Sequence, residues 1–371
     1  MTRYHLTRRE FLWGSAALAL QLAGCGGQER SPLVVSLLEN SVPTELIQEF
    51  TRRMGRGPKL DFEPIEQLQD TFRRLQELEA NSPNIPDWMT LGDAWLAAAI
   101  QQDLIRPIAD LEALDAWAQL PPQWQALVRR DRQGAPQPEG DIWAAPYRWG
   151  SLVLVYSVSA MEKLNWVPSQ WEDLWRPELQ GRISVPDSAR VVIGLVLKQL
   201  GESANQVSFD EATVESRLAE LHQQMRFYSS DAYLEPLLRD DTWLAVGWST
   251  DVLPFTQRDR RLNAVIPDAG TLLFADLWVQ PRNAPTPGAM AMEWIEFCWQ
   301  PDIAERITTL SLSTSPQLQP GDSDAIASVV DTSPLLWPGE AVLERSEWLA
   351  PLPEEAIAAY RDLWLRVRQT G

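Results

Sequence analysis

An α/β fold built on a mainly parallel sheet is what this chain of 371 residues predicts, and three observations predict it. Short β-rich runs alternate with amphipathic helical runs, the pattern of strand–helix–strand units. About 345 residues follow Cys25, enough for two domains with cores of their own. Past the N-terminus, no stretch approaches the ~18 uninterrupted apolar residues of a membrane span.

The elements follow in order. "LVVSLLENSVPTELIQEFTRRMG" predicts a strand from residue 33, a loop over Asn40 to Pro43, and a helix ending near Gly55 with Thr44 as its N-cap. "KLDFEPI" is a second strand, "EQLQDTFRRLQELEA" a helix, "IPDWMTLG" a third strand and "DAWLAAAIQQDLI" a helix. Residues 121 to 141 are dense in Pro, Gly and charge and read as a surface excursion. "IWAAPYRWGSLVLVYS" is apolar and β-rich, "SQWEDLWRPELQG" a helical turn region, and "RISVPD" a strand. "SARVVIGLVLKQLG" is a helix that Ser188 can cap. "TWLAVGWST", "NAVIPDAGTLLF" and "ADLWVQP" are further strand candidates. "PGAMAMEWIEFCWQPDIAERITTL" is a helix, a stop at Pro301 and a second helix, and "LPEEAIAAYRDLWLRVRQ" closes the chain as an amphipathic helix.

The N-terminus carries an address. Arg3, Arg8 and Arg9 precede an apolar run from Phe11 to Ala23, about 20 Å long as a helix and too short to span a bilayer. Thr7 to Leu12 resembles the twin-arginine export signal, with Trp13 where a lysine is common, so the general secretory route stays open. Leu22-Ala23-Gly24-Cys25 resembles a bacterial lipobox, which implies Cys25 as an acylated lipid anchor. Residues 1 to 24 are then the export signal and 25 to 32 the lipid tether.

Composition narrows the function classes. The formal charge of -19 argues against nucleic acid, whose phosphates demand a basic face. Only Cys298 remains once Cys25 is acylated, which leaves no internal disulfide, and its apolar helical setting makes it a core residue. With His5 in the signal and His222 in a polar helix, neither a His-based metal site nor a Ser-His nucleophile is expected, and no cofactor motif is present. The 18 Trp residues supply core material and also the parts of a cation pocket.

From "DIWAAPYRWGSLVLVYS" onward the chain resembles the bacterial spermidine/putrescine-binding proteins, solute receptors of polyamine ABC importers. The similarity continues through "SQWEDLWRPELQGRISVPDSARVVIGLVLKQLG", "LAVGWSTD", "VIPDAGTLLFADLWVQP" and "GAMAMEWIEFCWQPDIAERI", in order, across most of residues 33 to 370. The resemblance implies a two-lobe α/β fold with a ligand cleft, crossed by strands near Tyr147 to Leu152 and Phe274 to Gln280. One lobe would be 33–148 and 275–321, the other 149–274 and 322–371. It further implies a small cationic solute, a permease partner, hinge closure, a monomer, and a periplasmic, membrane-tethered location.

Trp248 matches a pocket tryptophan of that family, Asp276 an amine-binding aspartate, and Phe274 an expected aromatic. Asp93 and Trp95 follow the third strand, and Glu39 follows the first. Ser188 and Val191 stand where the family carries carboxylates, Ser313 where it has a tyrosine, and Leu349 where it has a polar contact. A second anion would come from Glu39, Asp93, Asp187 or Asp251. A receptor for another solute and an exported carboxylate-dependent hydrolase are the alternatives.

Overall fold

The computed structural model describes residues 33–55, 60–82, 84–230, 232–286, 288–319, 333 and 335–369. The export signal with Arg8 and Arg9, the anchor Cys25 and the tether to residue 32 lie outside them. Strands β1 (Leu33–Leu38), β2 (Leu60–Ile65) and β3 (Trp88–Gly92) alternate with helices Thr44–Arg53, Leu68–Glu77 and Asp93–Gln101. Short strands β4 (Ile105–Arg106), β5 (Arg129–Arg130) and β6 (Asp141–Ile142) precede the long β7 (Ala145–Ser157). Then come β8 (Ile183–Val185), β9 (Met225–Tyr228), β10 (Leu244–Trp248), β11 (Leu262–Val265), β12 (Leu272–Pro281) and β13 (Glu347–Trp348).

The main sheet has the order β2-β1-β3-β12-β7-β10-β8-β9. Its flanks are parallel, with β1 against β2 and β3, and β8 against β9 and β10. Its centre is antiparallel, because β12 runs against both β3 and β7, and β7 against β10. The sheet is therefore mixed rather than mainly parallel. The two long central strands reverse the direction that the strand–helix units on either side maintain.

β7 is buried over its whole length because it is paired throughout. Residues from Ala145 to Ser151 pair with β12, while Leu154 to Tyr156 lie between β10 and β11. The buried apolar side chains form two large clusters. One takes in Leu33 to Trp149 together with Leu273 to Ile307; the other takes in Leu152 to Val246 with Leu272 and Leu349 to Val367. β7 changes cluster between Trp149 and Leu152, and β12 between Leu272 and Leu273.

Local expectations are met in most places. Ser188 Oγ accepts from Val191 N at 3.3 Å and caps the helix Ala189–Gln199. Pro301 opens the helix Pro301–Ser311, and Cys298 is fully buried. Three details differ. Thr44 is the first helical residue behind Pro43, and no side chain caps that end. Residues 121 to 141 are a surface excursion only in their second half, from Asp131 on; before it Pro122–Val128 is helical, and Trp124 and Val128 join the first cluster. "NAVIPDAGTLLF" holds parts of two strands: its first three residues end β11, and its last three run on into "ADLWVQP" as β12, because pairing with β7 carries that strand through Phe274 and Ala275.

Candidate functional site

The strand crossing brings charged and aromatic groups together that lie far apart in sequence. On β7, Arg148 faces Asp276 of β12 at a paired register position, and its Nε donates to Asp276 Oδ2. Both are enclosed: Arg148 is 6 % exposed and Asp276 0 %. Asp276 Oδ1 is buried and has no partner among the described residues. Burial pushes the Asp276 carboxyl up while Arg148 pulls it down. Burial likewise works against the Arg148 charge, but Asp276 and Tyr147 outweigh it and hold the guanidinium above its ordinary value. We read the two as an ion pair.

Asp93 begins the helix that follows β3, so the end of that strand sets its position. Its Oδ1 accepts from Ala275 N at 3.0 Å, and the buried Oδ2 has no partner among the described residues. Burial is the main influence that raises its carboxyl, to about 7, with the Asp276 charge adding to it.

Asp251 lies in the first turn of the helix Ser249–Arg258, directly after β10. The buried Tyr233 hydroxyl donates to its Oδ2, and the same hydroxyl accepts from Trp248 N at 3.2 Å. Asp251 is solvent-exposed, yet the protein mass around it raises its carboxyl against the pull of Tyr233 and Arg148.

Trp248 and Phe274 are half-buried and meet edge to face, ring centroids 5.1 Å apart. Gly150, paired with Phe274 across β7 and β12, makes room for that ring. A Cβ there would lie 2.5 Å from Ser249 Oγ and 2.8 Å from Phe274 Cε1. Ser249 Oγ in turn accepts from Ser151 N at 3.1 Å. Gly150→Ala should therefore displace Phe274 from Trp248 and destabilise the fold by about 1–3 kcal/mol. Near-UV circular dichroism and urea denaturation would check this, and unchanged spectra at unchanged stability would contradict it.

The structure thus groups Asp276, Asp93, Trp248 and Phe274 of the expected site residues around the crossing. Among the described residues, Trp95, Glu39 and Ser188 share no hydrogen bond or ring contact with the Trp248–Phe274 pair. Trp95 packs on Phe72 at 4.7 Å, Glu39 is exposed in the loop after β1, and Ser188 caps its helix. Val191 and Leu349 are core residues of the second cluster. Asp187 is tied to Arg368 at 2.7 Å, and Ser313 Oγ meets Ser311 Oγ at 2.6 Å.

Arg148, Tyr233 and Gly150 were not foreseen as site residues. Arg148 had a signal: it is the lone charge in "APYRWGSLVLVYS", and a charge in a buried strand requires a partner.

Comparison with known proteins agrees with this architecture. Residues 84–345 match the family model for bacterial extracellular solute-binding proteins. The spermidine/putrescine-binding periplasmic protein of Escherichia coli is 22% identical over 340 residues, covering 91% of this chain and 92% of that protein. The putrescine-binding periplasmic protein of the same organism is 23% identical over 322 residues, covering 81% of this chain and 82% of its own. Among solved structures, the spermidine/putrescine ABC transporter substrate-binding protein of Streptococcus pneumoniae superposes with a TM-score of 0.75 at 20% identity. It covers 91% of this chain and 98% of that one. That likeness establishes the fold.

Proposed function

Because this chain belongs to the family of bacterial extracellular solute-binding proteins, we propose that it is the solute receptor of an ABC importer for a polyamine or related small amine. The family is one of receptors and not of enzymes, so an exported hydrolase is no longer needed to account for the acids. The observation that carries the amine reading is Asp251, an exposed carboxylate one helical turn after Trp248, which meets Phe274 edge to face. A ligand ammonium would take the carboxylate as a charge-assisted partner, and its methylenes would lie along the indole and phenyl surfaces. The relatives named for spermidine and putrescine support the same class.

In this reading the two buried clusters are two lobes, 33–148 with 275–321 and 149–274 with 322–371. β7 and β12 would then be the strands about which they close. A ligand touching both sides stabilises the closed form, and the permease selects that form. The receptor works as a monomer outside the cytoplasm, held to the membrane by an acylated Cys25 after export through the Arg8–Arg9 signal.

Calorimetric titration of the chain starting at residue 26 with putrescine and spermidine tests the proposal. Saturable binding is expected. Asp251→Asn, whose amide oxygen still accepts from Tyr233, should weaken it by roughly 10- to 150-fold, the worth of a hydrogen bond to a charged group. Trp248→Ala should weaken it by about tenfold. No heat with either amine would remove the ligand assignment and leave the family membership standing.

A further inference from the structure

The pair Arg148–Asp276 narrows the ligand further, and the narrowing rests on the amine-receptor reading above. Three acids lie around the paired strands β7 and β12 and the end of β10, and they are not equivalent. Asp276 is fully enclosed and already has a cation, Arg148 Nε, at a paired register position of the adjoining strand. Asp93 is enclosed and accepts from Ala275 N. Asp251 alone of the three is open to solvent.

Arg148 is no surface side chain that can swing away from an arriving solute. It extends from the central strand of the sheet, is enclosed like its partner, and places one fixed positive charge beside Asp276. The field of that charge also reaches Asp251. A solute with two ammonium groups would put one at Asp251. Its other ammonium would meet an acid already neutralised and a guanidinium that repels it.

We propose that Arg148 is a specificity-determining residue. It fills the cation position at Asp276 from within the chain, so the site takes a solute with one cationic end at Asp251 and an uncharged remainder against Trp248 and Phe274. Monoamines and monoguanidines fit this description, and short diamines gain nothing from their second charge.

Butylamine and putrescine, which share a four-carbon chain and differ by one ammonium, form the test pair. Calorimetry on the wild-type chain from residue 26 should show butylamine binding at least as tightly as putrescine. Arg148→Met uncovers Asp276 and should shift the ratio at least tenfold toward putrescine, whereas Arg148→Lys should keep the wild-type order. A tenfold preference for putrescine in the wild type, or a folded Arg148→Met with an unchanged ratio, would overturn the proposal. If Arg148→Met does not fold, the wild-type ratio and Arg148→Lys decide alone.

If the wild type binds neither amine, the receptor reading fails separately. The cation position is then read from the melting temperature of Arg148→Met with millimolar methylguanidinium. A rise seen in that variant and not in the wild type supports it, and no rise rejects it.

Discussion

Asp276→Ala is expected to unfold this protein before it reports anything about a ligand. The substitution removes the one ion pair of Arg148 among the described residues and leaves an enclosed guanidinium. Breaking a buried ion pair from one side costs about 3–5 kcal/mol, since the remaining charge has neither water nor a partner. Replacing both residues with apolar ones, as in Arg148→Met with Asp276→Leu, should restore most of that loss. Urea denaturation of the two single variants and the double variant measures it. A loss below about 1 kcal/mol in Asp276→Ala would mean that water reaches Arg148 freely, and the account of the pair would be wrong.

Asp93 should make stability depend on pH between about 4 and 7. Its carboxyl rises from 3.8 to about 7 in the folded chain, chiefly through burial. Between those values the folded state holds more protons than the unfolded state. Stability from this group is therefore fully present below about pH 4, declines as the pH rises, and is gone above about 7. A shift of that size corresponds to about 4 kcal/mol at most. Asp93→Asn keeps an acceptor for Ala275 N and removes the titration, so its stability relative to wild type should increase from pH 4.5 to pH 7.5. Denaturation midpoints at the two pH values decide the matter, and parallel profiles would show that Asp93 does not titrate differently on folding.

These expectations show where reading the chain works and where it stops. Trp248, Phe274 and Asp276 could be selected from the sequence because each stands in a short block whose neighbours fix its setting. Arg148 sits in such a block as well, but its role depends on a residue 128 positions away. Its partner is decided by the register of β7 on β12, including the irregularity between Asp276 and Leu277. Asp251 shows the same limit. Its sequence neighbours make it an ordinary acid in a first helical turn, and only the surrounding fold sets the buried Tyr233 hydroxyl against it while leaving it exposed. Trp124 was hidden by the Pro, Gly and charge around it, and its burial comes from the rings of Trp149 and Trp348 beside it.

By itself, the sequence determined the alternation of strands and helices, the Ser188 cap, the Pro301 helix start and the buried Cys298. Each follows from periodicity or capping within a few residues, where local sterics and hydrogen bonds dominate. Only the tertiary structure decided that the sheet is mixed, that β12 runs unbroken, and that Asp276 is neutralised by Arg148 while Asp251 stays open. Those outcomes depend on strand order and register, which are set by burial summed over two whole clusters, and no short stretch of chain contains that sum.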